Sequence, residues 1–415
     1  MTNKEIVKKF LLKHKQHESN VDQLLFIKNF QKEMNKGLKK DDELFAMVPS
    51  YLTNNLTPKI NSKKVLVLDA GGTNFRVGLA EYKNGKPVFS KVEKTPIPGL
   101  KSPISKEKFY SEIATKCSKH LKGISNAGYC FSYAIKIGKN LDGPVIRMSK
   151  NIVIKGIEET CVGKETLNHF KKYNSNVEKI ALFNDTIATL YGGISDINKK
   201  ANYVGYILGT GTNIAYFEKP KNIKKISIKN EEYISINIES AYFDKFEMGT
   251  FEKSFINKDG NTSVLEKCTS GVYFNNIILN CLAEAKKEGL VSYELKSDFE
   301  LADFSLFLNG EKTNLKKFIC SKKDQEITKI ILEEMIKRNA KLGSSAIAAS
   351  ILKNVDKKLP TYVIAEGSTF KKLPYYEKWF KYYLNNLLKK YSLSAKVYTS
   401  DNLTLKGSLL IASNL

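Results

Sequence analysis

The chain has 415 residues, of which 42% are hydrophobic and 11% aromatic. This length and composition are typical of a folded protein with room for two domains, and they exclude a disordered chain. No apolar run is long enough to cross a bilayer, and the charged residues 1–20 lack the apolar core of a signal peptide. We therefore expect a cytoplasmic protein without a membrane partner.

The net charge of +24 suggests a nucleic-acid partner, but the type of basic residue argues against one. Arginine occurs only at Arg76, Arg147 and Arg338 among 67 basic residues, and the lysines are spread along the whole chain. Proteins that read phosphates and base edges rely on the planar guanidinium group, so we expect no nucleic-acid partner. The positive field would still attract an anionic substrate such as a nucleotide.

The six cysteines are widely spaced, with no two inside a four-residue window. Paired metal ligands of the zinc-finger kind are therefore missing, and the thiols are expected to be reduced.

The first predicted elements are helices over residues 1–60, where Leu24, Ile27 and Phe30 recur at helical spacing. Strands are predicted next at 64–69, 75–82 and 86–93. The dipeptide Asn84-Gly85 between the last two is typical of a tight hairpin turn. This antiparallel start differs from a Rossmann unit, which needs a helix after its first strand.

A weak internal repeat follows. The strand–turn–strand unit around Gly71-Gly72-Thr73-Asn74 resembles a second unit around 210–213, which joins strands 203–208 and 214–217. The pattern indicates a duplicated protein with a cleft between its halves, or alternatively two ordinary hairpins.

The remaining predicted elements lie between and after these units. A buried-type strand at 178–183 ends at Asn184-Asp185, ahead of a helix, and such strand ends are where α/β folds place their chemistry. Further on, residues 324–355 are predicted to form a helix with a possible break at Gly343, followed by a strand at 362–367.

The two glycine turns have the properties of phosphate sites. Glycines 71 and 72 let backbone N–H groups approach phosphate oxygens closely, and Thr73 adds a hydroxyl. Asp69 could hold the magnesium ion that accompanies a nucleotide. The turn 209–213 offers the same groups, and neither turn matches the P-loop pattern.

The chain resembles the hexokinase family. Residues 67–79 are similar to its first phosphate motif, and further motifs follow in the family's order. They are Phe183-Asn184-Asp185-Thr186, Gly209-Thr210-Gly211-Thr212-Asn213, Ile236-Asn237-Ile238-Glu239, Leu265-Glu266-Lys267 with Gly271 and Tyr273, and Lys406-Gly407.

The resemblance implies an α/β protein with the two-lobed actin-like ATPase fold, built on ribonuclease-H-like sheets with a cleft between a small and a large domain. The expected small domain is 62–185 with 401–415, and the expected large domain is 1–61 with 186–400.

The resemblance also implies roles for individual residues. Asp185 is expected to be the general base and Lys150 to stabilise charge on the transferred phosphoryl group. The expected sugar-binding residues are Ser132, Ser149, Lys150, Asn184, Asp185, Asn213, Glu239 and Glu266. The expected residues for ATP are Asp69, Gly71, Gly72, Thr73, Asn74, Arg76, Thr210, Gly211, Gly367 and Thr404, with Asp69 as the Mg²⁺ ligand.

These roles imply phosphorylation of a hexose, glucose above all, at its 6-hydroxyl with ATP, the first step of glycolysis. The expected partners are a small hexose and ATP, in a monomer or homodimer. The alternatives are a kinase of fructose, mannose or an amino sugar on the same fold, and a sugar-binding regulator without catalysis. Carboxylate and amide side chains suit a sugar-binding site under all of these alternatives, because each sugar hydroxyl can both donate and accept a hydrogen bond.

Overall fold

The structure is a computed structural model, and it describes residues 1–41, 44–148, 152–227, 232–295 and 298–415. The α-helices in these ranges are α1 (Asn3–Lys13), α2 (Gln23–Gly37), α3 (Lys106–Cys117), α4 (Val162–Phe170), α5 (Asp185–Ile197), α6 (Thr250–Asp259), α7 (Val264–Thr269), α8 (Gly271–Lys287), α9 (Leu301–Leu308), α10 (Asn314–Phe318), α11 (Lys322–Lys353), α12 (Ser368–Lys372), α13 (Tyr376–Lys389) and α14 (Leu403–Ala412).

The strands in the same ranges are β1 (Val48–Thr53), β2 (Val65–Ala70), β3 (Asn74–Lys83), β4 (Lys86–Pro96), β5 (Ile104–Ser105), β6 (Asn126–Phe131), β7 (Ala134–Ile135), β8 (Val145–Arg147), β9 (Ile154–Lys155), β10 (Lys179–Phe183), β11 (Asn202–Leu208), β12 (Thr212–Glu218), β13 (Ile234–Asn237), β14 (Thr361–Glu366) and β15 (Lys396–Tyr398). One larger sheet has the order β1-β13-β12-β11-β14-β15, and the other has the order β10-β6-β2-β3-β4.

The chain folds into two compact units. Unit 1 consists of residues 1–46, 206–214 and 238–397, and unit 2 consists of residues 47–205, 215–237 and 398–415. The domain boundaries expected from the family resemblance remain a prediction. In the described ranges, no helix combines the length and apolar character needed to cross a membrane.

The predicted three-stranded antiparallel start of the second sheet is confirmed. β2 pairs antiparallel with β3, and β3 pairs antiparallel with β4. Asn84 and Gly85 have φ values of 49° and 73°, the left-handed conformation that a two-residue hairpin turn requires.

The other strands of this sheet run parallel to one another. β6 pairs in parallel with both β2 and β10, so Cys130 lies opposite Asp69 on one side and Phe183 on the other. These three parallel strands are apolar and buried. Apolar residues of α3 and α4 belong to the same hydrophobic core. Near-continuous apolar runs are typical of strands covered on both faces.

The helix α14 packs against α5 and the sheet through contacts that only glycine permits. A Cβ atom at Gly192 of α5 would lie 2.1 Å from the carbonyl oxygen of Leu403, and one at Gly407 would lie 1.9 Å from that of Ala188. A Cβ atom at Gly128 of β6 would lie 2.4 Å from the carbonyl oxygen of Ser408. These contacts fix the position of α5, whose first residue is Asp185.

Two predictions about helices are wrong in part. Residues 1–60 include a strand, β1, since Val48–Thr53 pairs with β13, and the exposed Leu24 does not belong to the buried stripe of α2. The helix α11 continues through Gly343 without a break. A Cβ atom at Gly343 would lie 2.6 Å from the hydroxyls of Tyr206 and Tyr376, so this glycine accommodates packed side chains.

Candidate active site

Three polar segments follow parallel strands at one edge of the second sheet. Gly71 follows β2, Ser132 follows the end of β6, and Asn184-Asp185 follows β10. Because β2, β6 and β10 are parallel and in register, their carboxyl ends lie side by side. The sheet therefore gathers these predicted residues of unit 2 along one edge.

Asp185 is held at the beginning of α5. Asn184 is the N-cap residue, and its Oδ1 accepts a hydrogen bond of 2.8 Å from the backbone N–H of Thr186. The Thr186 hydroxyl donates to Oδ1 of Asp185 at 3.3 Å, and Asp185 remains partly exposed. An oriented, accessible carboxylate of this kind can accept a proton from a bound hydroxyl.

Ser132 is buried at the end of β6, where its backbone N–H donates to the carbonyl oxygen of Ala70 at 3.0 Å. The predicted residues Ser149 and Lys150 lie outside the described residues.

The first glycine turn is closed by its own backbone. The N–H of Gly71 donates to the carbonyl oxygen of Asn74 at 2.9 Å. The side-chain amide of Asn74 donates to the Thr73 hydroxyl at 2.8 Å, and Thr73 is exposed. The turn therefore presents the Thr73 hydroxyl near the solvent, while the Gly71 N–H is used within the turn itself.

Asp69, Arg76 and Thr404 form a polar cluster beside this turn, in which Asp69 and Thr404 are buried and Arg76 is partly exposed. Oδ2 of Asp69 accepts from Nε of Arg76 at 2.9 Å, from its Nη2, and from the Thr404 hydroxyl at 3.1 Å. Nη2 of Arg76 also donates to the Thr404 hydroxyl at 2.7 Å. A carboxylate suits Mg²⁺, and the bonds from Arg76 and Thr404 orient the Asp69 carboxylate through its Oδ2 atom.

Cys130 lies between two of these carboxylates. Burial, and then the negative charges of Asp69 and Asp185, raise the pKa of its thiol well above the usual value. The thiol is therefore neutral and adds no third negative charge to this edge of the sheet.

In unit 1, Glu266 of α7 contacts the second glycine turn. Oε2 of Glu266 accepts a hydrogen bond of 3.0 Å from the backbone N–H of Thr212. A Cβ atom at Gly211 would lie 2.5 Å from the same oxygen. Thr210 is exposed at the tip of the turn.

Two buried side chains anchor α7. Nζ of Lys267 donates to the carbonyl oxygens of Asp259 and Gly260 at 3.0 and 2.7 Å, and it pairs with the Asp259 carboxylate at 2.7 Å. Nδ2 of Asn339 donates to the carbonyl oxygen of Thr269, the last residue of the helix, at 3.0 Å. These bonds hold the part of the helix that follows Glu266.

Asn213 and Glu239 lie next to each other. The Asn213 side chain donates to Oε1 of Glu239 at 3.4 Å, and its Oδ1 accepts from the backbone N–H of Ser240 at 3.2 Å. Glu239 has a φ of 59°, an unusual conformation for a residue with a long side chain. Such strain is more frequent at functional sites than elsewhere.

A cavity of about 450 Å³ opens beside the second glycine turn of unit 1. It is lined by Gly209, Thr210, Gly271, Val272, Asn275, Glu300, Leu301, Ala302, Ser305, Ser368, Thr369, Lys372 and Leu373. Aliphatic side chains form part of the lining and polar or charged side chains form the rest, and sites for small molecules combine both kinds of group.

Gly367 precedes Ser368 and Thr369, which line this cavity. Its φ of 119° strains any side chain, and a Cβ atom there would lie 2.2 Å from the carbonyl oxygen of Leu208. Two residues later, the Thr369 hydroxyl donates to the carbonyl oxygen of Gly209 at 2.9 Å. Gly367 thereby permits β14 and the turn to approach each other.

The predicted site residues did not include Thr369 or the cavity residues of α9. Thr369 follows the end of β14, and the rule on strand ends could have identified it. Leu301 and Ser305 lie on a short helix with no motif, so no signal in the sequence pointed to them.

The fold is that of the actin-like ATPases, as expected. The structure aligns with a TM-score of 0.81 to the crystal structure of hexokinase from Schistosoma mansoni complexed with glucose, at 22% identity and over 100% of both chains.

The sequence comparisons identify the family. Two family models, both described as hexokinase, match residues 5–194 and 203–413. The chain belongs to the hexokinase family, which confirms the resemblance drawn from the motifs.

Two curated relatives indicate the degree of similarity. Hexokinase-1 of Saccharomyces cerevisiae is 27% identical over 289 residues, 64% of this chain and 58% of the yeast protein. Hexokinase-2 of Candida albicans is 26% identical over 394 residues, 84% of this chain and 79% of that protein. The match thus spans little more than half of the yeast relative and a larger part of the Candida one.

Proposed function

We propose that this protein phosphorylates a hexose, glucose above all, at its 6-hydroxyl with ATP, the reaction that begins glycolysis. Membership of the hexokinase family supports this proposal. The glucose complex of the structurally similar Schistosoma hexokinase supports the choice of sugar.

The observation that carries the proposal is the sheet edge of unit 2. Parallel pairing of β10, β6 and β2 aligns the segment that contains Asp185 with Ser132 and with the first glycine turn. Phosphoryl transfer to an alcohol requires a base, groups that bind the acceptor and a site for the phosphates, all close to one another.

In the proposed reaction, Asp185 accepts the proton of the attacking 6-hydroxyl. Ser132, Asn184, Asn213, Glu239 and Glu266 bind other sugar hydroxyls, and so do Ser149 and Lys150. A hydroxyl or side chain left without a hydrogen-bond partner in a buried site costs free energy. A sugar whose hydroxyls do not match these side chains should therefore bind less tightly. Lys150 adds positive charge beside the transferred phosphoryl group.

The nucleotide is proposed to bind at the glycine turns. Gly71, Gly72, Thr73 and Asn74 would contact phosphates, as would Thr210 and Gly211, and Gly367 would let the nucleotide approach closely. The cavity beside Thr210 has the volume to hold an adenosine group, with aliphatic side chains such as Leu301 for the base and polar side chains for its nitrogens and the ribose hydroxyls. Asp69, oriented by Arg76 and Thr404, would hold Mg²⁺, which neutralises phosphate charge when bound.

A coupled assay of sugar-dependent ADP formation tests this proposal. Glucose, fructose, mannose and glucosamine should be compared, because turnover of only one of the last three would favour the alternative sugar kinase. Glucose binding without ADP formation would indicate a regulator, and absence of both would contradict the proposal.

Replacement of the base tests the mechanism. Asp185→Ala should lower kcat about 100-fold or more, the scale usual for loss of a general base, while glucose affinity changes little. Asp244→Ala, at an exposed residue paired with Lys245, is the control. Retention of a tenth of wild-type kcat by Asp185→Ala would show that Asp185 is not the base.

A further inference from the structure

Tyr133 connects the end of β6 to the first glycine turn. Its side chain is buried, and its ring packs against Phe131 with 5.0 Å between the centroids. Its hydroxyl donates a hydrogen bond of 2.8 Å to the carbonyl oxygen of Gly71. The residue before it, Ser132, is bonded through its N–H to the carbonyl oxygen of Ala70, so two successive residues of this segment are bonded to two successive residues at the end of β2.

The Tyr133 hydroxyl remains protonated. Burial, and then the negative charge of Asp69, raise its pKa far above physiological pH. The group therefore keeps its proton, and because a carbonyl oxygen can only accept, the direction of this hydrogen bond is settled.

The contact controls more than the carbonyl group. The C=O of Gly71 and the N–H of Gly72 belong to one rigid peptide plane and point in opposite directions. An anchor on the carbonyl oxygen therefore sets the direction in which the Gly72 N–H points. Glycines have more conformational freedom than other residues, so a Gly-Gly peptide gains most from such an anchor.

We propose that Tyr133 is a positioning residue, whose hydroxyl orients the Gly71–Gly72 peptide so that the Gly72 N–H faces a phosphate oxygen of the nucleotide. The role deepens the proposed function and depends on it for the identity of the ligand. The physical gain is preorganisation, because the turn need not be ordered when the phosphate binds.

Tyr133→Phe tests the role by removal of one oxygen atom. Tyr129→Phe is the matched control, because Tyr129 lies on β6, the strand just before Tyr133, is fully buried, and has a hydroxyl without a hydrogen-bond partner among the described residues. Calorimetry should measure the Kd for MgADP, and steady-state kinetics the KM values for ATP and glucose. The unfolding temperature should be recorded for each protein.

In Tyr133→Phe, the Kd for MgADP and the KM for ATP should rise about three- to tenfold, the range that one hydrogen bond supports. The KM for glucose should stay within error, and Tyr129→Phe should match the wild type in all three constants. A role in folding alone would lower the unfolding temperature and leave the ratio of the two KM values unchanged.

Equal nucleotide constants in Tyr133→Phe and the wild type would overturn the role, and so would equal weakening of ATP and glucose. A wild type that binds MgADP but forms no ADP from any sugar would contradict the proposed function, while the Kd comparison would still decide the role of Tyr133. A wild type that does not bind MgADP would overturn both.

Discussion

Glu266 is the residue at which the proposed sugar site can be tested with the smallest change. Glu266→Gln keeps the shape and an oxygen that can accept from the N–H of Thr212, but it removes the negative charge. Charge-assisted hydrogen bonds contribute about 1.5–3 kcal/mol, so glucose affinity should fall roughly 10- to 150-fold. Separate titrations with glucose and MgADP measure this, and nucleotide affinity should hardly change.

A neutral outcome is informative here. Glu377→Gln, in an exposed pair with Lys381, is the control and should leave both affinities unchanged. If Glu266→Gln behaved like this control, or weakened glucose and nucleotide equally, Glu266 would not be a sugar ligand.

His120 makes the stability of the protein depend on pH. Its side chain is buried, and its nearest carboxylate is that of Glu93, 3.5 Å from Nε2. Burial lowers the pKa of His120, and this effect exceeds the opposing one of Glu93. Below about pH 6.5 the unfolded chain binds a proton that the folded His120 resists, so stability falls as the pH falls.

Urea unfolding at several pH values between about 7.5 and 5.5 measures this slope. His120→Gln should flatten it, and a further change of His17, whose pKa burial also lowers, should flatten it more. Identical slopes in the wild type and both variants would contradict the assignment.

At the scale of elements, the contact between α5 and α14 should tolerate no side chain. Gly192→Ala would place a Cβ atom 2.1 Å from the carbonyl oxygen of Leu403, so the two helices must separate. The expected loss of stability is about 1–3 kcal/mol, the usual range for overpacking, and Gly192→Val should cost more. Urea unfolding measures both variants.

Separation of α5 from α14 should also shift the proposed base, Asp185. Asp185 begins the helix that contains Gly192, so kcat should fall along with stability in this series. Stability that did not decrease from Gly to Ala to Val would show that the two helices adjust freely.

At the scale of the whole molecule, the net charge of +24 should attract the anionic nucleotide. Salt screens this field over about 8 Å at physiological ionic strength. The KM for ATP should therefore rise several-fold between low and high ionic strength, while the KM for the uncharged glucose stays constant. Kinetics at fixed Mg²⁺ measures both, and a parallel rise in the two values would exclude steering by charge.

Local signals in the sequence were sufficient for much of the fold. The Asn84-Gly85 turn, the apolar run of β2 and the Asn184 cap before α5 are predictable because each depends on neighbouring residues. The strand β1 was missed because its pairing with β13 joins residues almost 200 positions apart, which local periodicity cannot reveal. The helix at 324–355 was predicted, but the possible break at Gly343 does not occur, because tertiary packing against Tyr206 and Tyr376 overrides glycine's weak helix propensity.

The chain alone determined the family, the chemical groups of the proposed site and the two glycine turns, because these reside in short runs of residues with a defined order. Only the tertiary structure decided which groups meet. The alignment of Asp185 with Ser132 and Gly71 depends on the parallel register of β10, β6 and β2. The anchoring of Gly71 by Tyr133 likewise joins residues 62 positions apart, and such a contact exists only once the sheet has formed.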